Sequence, residues 1–98
     1  MLNFKIYVGL IDKFHVRYSL SDVEPLVSRV YEGFSITQQW GYYKGKREQS
    51  IVIEIFVENL DRQAEAIKAY ALADCIKIAL NQECVLVSCQ EINDTVFI

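Results

Sequence analysis

Apolar residues alternate with other residue types near the start of the chain and run almost continuously in its middle. The alternating apolar positions at the start are Phe4, Ile6, Val8 and Leu10. This period of two predicts a half-buried strand. The later segment "SIVIEIFVE" (50–58) is apolar on both faces, broken only by Glu54 within the run. Near-continuous apolarity predicts a central strand of a sheet.

A first helix is predicted between these two strands. Its apolar positions recur at helical spacing and are Val23, Leu26, Val27, Val30, Tyr31 and Phe34. Ser21 or Asp22 can cap its start, and Glu24 can complete a capping box with Ser21. Pro25 falls near the first turn, where a missing N–H is tolerated. Gly33 is the predicted end of this helix.

A second helix runs through "RQAEAIKAYALADCIKIAL" (62–80), which contains no Gly or Pro, and Asn59 or Asp61 is its predicted cap. Its predicted buried stripe comprises Ala64, Ile67, Ala71, Cys75 and Ile78, widened by Tyr70 and Leu72. The segment "NQE" (81–83) then links the helix to a last strand, "CVLVS" (84–88). The segment "INDTVFI" (92–98) is predicted to be either a fifth short strand or an arm.

A hairpin is predicted before the central strand. Ile36, Trp40 and Tyr42 share one side of its first strand, so we expect Trp40 to lie in the core. The turn is predicted at residues 44–47, centred on Gly45.

The order strand, helix, strand, strand, helix, strand predicts an α+β protein with the ferredoxin-like split βαβ fold, one domain over residues 1–98. Both helices would cover one face of an antiparallel four-stranded sheet. The other face would then expose residues such as Tyr7, Val52 and Phe56. We therefore expect a homo-oligomer, a dimer or higher, in which "TVFI" (95–98) would be the exchanged element.

The composition of the chain argues against several classes of partner. The chain has 98 residues and a net charge of −3, which argues against a binder of duplex nucleic acid. The apolar start contains Lys5 and lacks the features of a signal peptide, and no segment is long enough to span a membrane. Cys75, Cys84 and Cys89 have no metal-site spacing, so we expect buried, reduced thiols in a cytoplasmic protein.

Two segments are candidates for ligand binding. In "GYYKGKREQS" (41–50), Lys44, Lys46 and Arg47 surround a glycine beside Tyr42, which favours either a solvated hairpin tip or a grip on a phosphate beside a base. In "NQE", Asn81 is either a left-handed helix cap or, together with the amide of Gln82, a reader of a base edge or ribose.

Catalytic residues are not evident from the sequence. His15 lies in a loop with Lys13 and Arg17, without a serine or cysteine partner that spacing can support. Glu54 is a carboxylate in an apolar strand, but a single carboxylate defines no reaction. We expect no catalytic set, no metal site and no cofactor.

Three stretches resemble a known family of phage proteins. "FKIYVGLIDK" (4–13), "GYYKGKREQSIVIEIFV" (41–57) and "LNQECVLVS" (80–88) look like the Thoeris anti-defence sponge family, whose members sequester cyclic ADP-ribose signals. The last two stretches also resemble an uncharacterised bacterial domain family with a similar "REPS" and "GQESVL" pair.

The sponge resemblance implies a non-enzymatic protein that inhibits host anti-phage defence. It would bind a cyclic ADP-ribose isomer or a cyclic oligonucleotide at subunit boundaries of a homo-oligomer in the host cytoplasm. Asn81 matches best as a ligand-binding position, and Tyr70 or Tyr42 would line the site. The chain departs from the family in having no arginine beyond Arg62, which argues against a phosphate site built from C-terminal arginines.

Two other function classes stay open. One is a ferredoxin-like interaction module or inhibitor that acts on a protein partner, and the other is a small enzyme working at an oligomer interface. The expected ligand-binding residues are Asn81, Gln82, Tyr42, Lys44, Arg47 and Tyr70.

Overall fold

The computed structural model describes residues 1–96 and 98, which contain four strands and two helices. The elements are β1 (Leu2–Gly9), α1 (Leu20–Ser28), β2 (Ser35–Tyr43), β3 (Lys46–Val57), α2 (Arg62–Ala79) and β4 (Leu86–Glu91). This order confirms the predicted ferredoxin-like α+β fold.

The sheet is antiparallel, with the strand order β2-β3-β1-β4. β3 pairs with β2 on one side and with β1 on the other, in a register that runs from Leu2 opposite Val57 to Gly9 opposite Ser50. The predicted central position of the apolar 50–58 segment is therefore confirmed. β2 and β4 are the edge strands.

The core lies between one face of this sheet and both helices. On the sheet side it contains Leu2, Phe4, Ile6, Val8, Ile51, Ile53 and Ile55, all fully buried. Val23 and Val27 of α1 and Ile76 of α2 pack against them from the helix side. In the described part of the chain, neither helix covers the opposite face, and there Tyr7 and Val52 are half-buried while Phe56 is exposed. A homo-oligomer that covers this face stays a prediction.

Helix α1 begins and ends earlier than its apolar stripe predicts. Its cap is Ser19, and the backbone N–H of Ser19 donates to Asp22 Oδ2 over 2.8 Å, so the predicted cap at Ser21 or Asp22 with Glu24 is wrong. The backbone N–H groups of Val30 and Tyr31 both donate to Val27 O at 3.0 Å, which closes the helix well before Gly33. Tyr31 still reaches the core from the connection that follows.

Helix α2 starts at the predicted cap, because the Asp61 side chain accepts a hydrogen bond from the Ala64 N–H at 3.1 Å. Its predicted buried stripe is wrong, since Ile67 is 61% exposed and Ile78 is 70% exposed. Of the two residues predicted to widen the stripe, Tyr70 is 54% exposed, but Leu72 is buried as predicted. The other buried residues of the helix are Ala69, Ala73 and Ile76. Small side chains at positions 69 and 73 let the helix approach the sheet closely, so the alanine-rich face packs inward.

The hairpin turn is tighter than predicted. Lys44 and Gly45 alone form it, with φ of 50° and 76°, as a two-residue turn with two left-handed residues requires. Lys46 and Arg47 therefore belong to β3. Trp40 is 56% exposed and not in the core, because this end of the hairpin extends beyond the helices.

The remaining expectations concern the C-terminal part and the cysteines. Residues 92–96 and 98 form no strand, so the predicted fifth strand is absent from them, and Phe97 lies outside the described residues. Cys75 and Cys84 are exposed, which corrects the expectation of buried thiols, and all three cysteines are free. In the described part of the chain, neither helix is long and apolar enough to cross a membrane.

Two isoleucines test which side of the molecule is core. Ile53→Ala removes a fully buried side chain opposite Ile6, so we expect the free energy of unfolding to fall by about 3 kcal/mol in a urea titration. Ile78→Ala is the control, and its expected change is below about 0.5 kcal/mol because the side chain is mostly exposed. Equal losses from the two variants would contradict the described packing of α2.

Candidate functional site

A cavity lies where the α1–β2 connection passes the end of β3. β2 begins at Ser35, opposite Glu54, so the last three residues of β3 have no partner strand on that side. The gap beside them has a volume of about 720 Å³. It is lined by Val30, Tyr31, Glu32, Gly33, Phe34, Ser35, Glu54, Phe56, Val57 and Lys68.

The lining of this cavity combines aromatic rings with charged groups. Tyr31, Phe34 and Phe56 provide flat apolar surfaces. Glu32 and Glu54 contribute carboxylates, and Lys68 contributes one ammonium group. Such a mixture suits a small organic ligand with a flat ring system and a positive or zwitterionic part.

Glu54 is placed by the register of the central strand. It lies on the face of the sheet away from the helices, opposite Lys5, whose Nζ is 3.7 Å from Glu54 Oε2. Its side chain is about one-third exposed. The carboxylate is therefore held by one cation yet open to a ligand in the cavity.

Tyr31 has an unusual environment on the opposite wall. It is only 6% exposed, and no described group lies within hydrogen-bond distance of its hydroxyl. Burial, with a smaller contribution from the charge of Glu65, raises the pKa of Tyr31 to about 12. Lys68 Nζ lies 4.8 Å from the centre of the Tyr31 ring, a cation–π distance.

A second, smaller hollow of about 230 Å³ lies along the hairpin. Its lining is Leu10, Gln38, Gln39, Trp40, Gln49 and Ser50. The guanidinium of Arg47 stacks 4.5 Å above the Trp40 ring, so this cation and this ring already bind one another.

The tip of the hairpin contacts the "NQE" segment within the same chain. Lys44 Nζ lies 3.8 Å from Glu83 Oε2, and the Tyr43 hydroxyl donates to the same oxygen at 3.2 Å. Both contacts are exposed, so they hold the tip only weakly. Lys44 thus has a carboxylate partner already.

Asn81 and Gln82 connect the end of α2 to the loop after β1. Asn81 adopts a left-handed φ of 49°, and its Nδ2 donates to the Tyr18 hydroxyl at 3.4 Å. Gln82 is nearly buried, and its Nε2 donates to the carbonyls of Leu80 at 3.2 Å and Ile11 at 3.5 Å. In this structure the two amides have structural roles.

The six residues predicted to bind ligand are therefore dispersed. Lys44, Asn81 and Gln82 belong to the contacts at one end of the molecule, whereas Tyr70, 54% exposed, lies on the outward face of α2. None of the six lines either cavity among the described residues. Their binding of a ligand stays a prediction.

The residues of the larger cavity were missed in the sequence, with one partial exception. In the sequence, Tyr31 and Phe34 belong only to a predicted helical stripe, and no pattern singles out Lys68. Glu54 was visible as a charge within an apolar strand. The partner groups that surround it could not be found by spacing, since they come from three separate segments.

Comparisons with known proteins find similar solved structures but no sequence family. No family model matches the chain, and no curated protein matches it in sequence. Among solved structures, the chain is similar to a phage SAM lyase in complex with S-methyl-5′-thioadenosine, with a TM-score of 0.77 and 26% identity over 92% of this chain and 80% of that one. The apo state of a phage SAM lyase gives 0.76 and 26%, over 91% and 78%.

A more distant likeness shows the fold alone. The periplasmic divalent cation tolerance protein CutA from Archaeoglobus fulgidus has a TM-score of 0.51 and 14% identity, over 98% of this chain and 88% of that one.

The similarity to a lyase corrects one expectation. A non-enzymatic protein is the expectation from the sequence, but the likeness at 26% identity and a TM-score of 0.77 is to an enzyme. The expectation of no enzyme activity is therefore wrong. Membership of the sponge family stays a prediction, which none of these comparisons tests.

The raised pKa of Tyr31 predicts that the free energy of unfolding depends on pH in the alkaline range. Its pKa is about 12 in the folded chain against 10.0 ordinarily, so between these values the unfolded chain loses the proton first. The free energy of unfolding should thus fall as the pH rises from 10 towards 12, and Tyr31→Phe should lack this part of the fall. Chemical denaturation of both proteins across that range measures it. Parallel curves would contradict the raised pKa.

Proposed function

We propose that this chain is an enzyme that binds S-adenosylmethionine (SAM) in the larger cavity and cleaves it, releasing S-methyl-5′-thioadenosine. One observation carries the proposal: the likeness to a phage SAM lyase at 26% identity extends over 92% of the chain. Identity and coverage at this level go beyond a shared fold, and the chemistry of the cavity supports the same ligand.

The size and lining of the cavity fit a nucleoside. About 720 Å³ falls within the range of roughly 300–1,000 Å³ that is typical of small-molecule sites. Phe34 and Phe56 offer ring faces against which an adenine can stack, an interaction worth about 1–3 kcal/mol per base. The cavity has two carboxylates and one ammonium group on its walls, which disfavours a pyrophosphate and favours a ligand with a positive charge.

Glu54 is the group that we assign to the reacting part of SAM. The sulfonium of SAM carries a positive charge, and a carboxylate at the wall of a partly closed cavity attracts it. The sulfur loses its positive charge as the bond breaks, so the attraction to Glu54 is strongest before the reaction. It therefore contributes to the binding and orientation of SAM and not to the bond cleavage itself. The aromatic walls favour the step itself, because the sulfur becomes neutral in surroundings that solvate charge poorly.

The reaction balances without a further reactant. The bond between the sulfonium sulfur and the four-carbon amino-acid group breaks, and its electron pair stays on sulfur to give the neutral thioether. As a lyase adds no water, the four-carbon fragment can form a lactone, when its own carboxylate oxygen bonds to the γ-carbon. Alternatively it can form a carbon–carbon double bond, when a proton is lost from the β-carbon to solvent. Mass spectrometry of the second product distinguishes these two routes.

This proposal keeps one part of the sponge prediction and replaces another. Both functions remove a nucleotide-derived small molecule from solution, which is the part that the two have in common. They differ in the state of the ligand afterwards, since a lyase releases a changed molecule.

Incubation of the purified protein with SAM, followed by liquid chromatography, tests the proposal. We expect S-methyl-5′-thioadenosine to accumulate with multiple turnovers. Glu54→Gln should lower kcat/KM by at least about tenfold, the equivalent of ~1.4 kcal/mol of transition-state stabilisation. Glu48→Gln is the matched control, because Glu48 lies on the same face of β3 but not at the cavity.

Two results would overturn the proposal. The first is recovery of intact SAM after long incubation with the folded protein, whether or not SAM binds. The second is an equal loss of activity in Glu48→Gln and Glu54→Gln, which would move the reaction away from this cavity. The same assay with a cyclic ADP-ribose isomer tests the sponge prediction separately.

A further inference from the structure

The proposed function leaves one end of the cavity without a role. Tyr31 is almost fully buried and lines the cavity, yet its hydroxyl has no hydrogen-bond partner in the described part of the chain. An unpaired buried polar group costs about 1–3 kcal/mol, and native proteins rarely retain one without a reason. A bound group that pairs with this hydroxyl would remove the cost.

Glu65 presents a second unpaired atom on the same side. Its Oε2 is buried and also has no partner among the described residues. Burial and, to a smaller extent, the charge of Glu65 raise the pKa of Tyr31 to about 12. The phenol therefore stays protonated at neutral pH. The Tyr31 hydroxyl is therefore a neutral group that can both accept and donate a hydrogen bond.

Lys68 adds a positive charge one turn further along α2. Its Nζ lies over the Tyr31 ring, and it forms no ion pair with any residue that the structure describes. Residues three apart on a helix lie on the same side, so Lys68 and Glu65 are neighbours. Tyr31 and Lys68 thus line this end of the cavity, and Glu65 lies beside them without being part of the lining.

We propose that Tyr31 and Lys68 form a subsite for the α-amino-acid group of the ligand, with the negative charge of Glu65 beside it. The ligand ammonium faces the Tyr31 oxygen and the Glu65 charge, and the ligand carboxylate faces Lys68. A zwitterion matches this set, whereas a phosphate would meet the carboxylates of Glu32 and Glu54 on the lining with only Lys68 to balance them. The inference rests on the proposed function and adds which part of SAM these residues recognise.

A pair of ligands separates this subsite from the rest of the cavity. S-adenosylhomocysteine carries the amino-acid group without the sulfonium charge, so it reports binding without cleavage. S-methyl-5′-thioadenosine lacks the amino-acid group. Calorimetric Kd values for both ligands, measured with wild type and variants, show which contacts depend on that group.

Tyr31→Phe should raise the Kd for S-adenosylhomocysteine by about tenfold, the loss expected for a hydrogen bond to a charged group. The Kd for S-methyl-5′-thioadenosine should not change. Lys68→Met, which keeps the aliphatic stem over the ring, should show the same selectivity. Tyr70→Phe is the control on the exposed face of α2 and should change neither Kd. We expect the Tm of unliganded Tyr31→Phe to equal or exceed that of wild type, so a folding defect will not mimic the effect.

The outcomes are distinguishable. If wild type binds both ligands and Tyr31→Phe and Lys68→Met weaken both or neither, the subsite is wrong and the proposed function stands. If the Tyr31 hydroxyl pairs only with a water, neither variant should weaken the binding of either ligand. If wild type cleaves SAM but binds neither ligand, the subsite is wrong and the proposed function stands, whereas a failure to cleave SAM overturns both.

Discussion

The alternation of side chains along β3 determines which of its residues build the core and which face the candidate site. Odd-numbered residues of its apolar run, such as Ile53, pack under both helices, and the pleat then sends the even-numbered ones to the opposite face. Glu54 is directed outwards for this reason, opposite Lys5. A shift of register by one residue would bury the carboxylate in the core and expose the isoleucines, so the hydrophobic core itself holds the candidate catalytic group in place.

The fold was predictable because its strongest signals are local. Alternation in β1, the apolar run of β3 and the Asp61 cap each specify an element within a few residues. The packing face of α2 was not predictable from spacing, because the helix has one stripe with Ile67 and Ile78 and another with Leu72 and Ile76. Only contact with the sheet decides between them. The exposure of Trp40 likewise depends on how far the helices extend over the hairpin.

The candidate site was less accessible to prediction than the fold. Its groups come from the connection after α1, the open face of β3 and Lys68 of α2, so no short motif contains them. Four of the predicted ligand-binding residues already have partners within the chain. Lys44 pairs with Glu83 and Arg47 stacks on Trp40, while the amides of Asn81 and Gln82 donate to a tyrosine hydroxyl and to backbone carbonyls. Polar residues at tight turns have structural duties that a sequence pattern cannot separate from ligand binding. The two kinds of role differ only in where the hydrogen bonds go.

The early end of α1 gives the cavity its room. The chain leaves the helix after Ser28 and crosses to β2 through residues 29–34, which form one wall while contributing little beyond Tyr31 to the buried core. A connection of this kind tolerates insertions and deletions far better than a strand or a helix does. Changes in its length would resize the cavity while the sheet and the carboxylate on β3 stayed where they are. Proteins that share this fold can therefore diverge in the ligands they accept through six residues of loop, without redesign of the scaffold beneath.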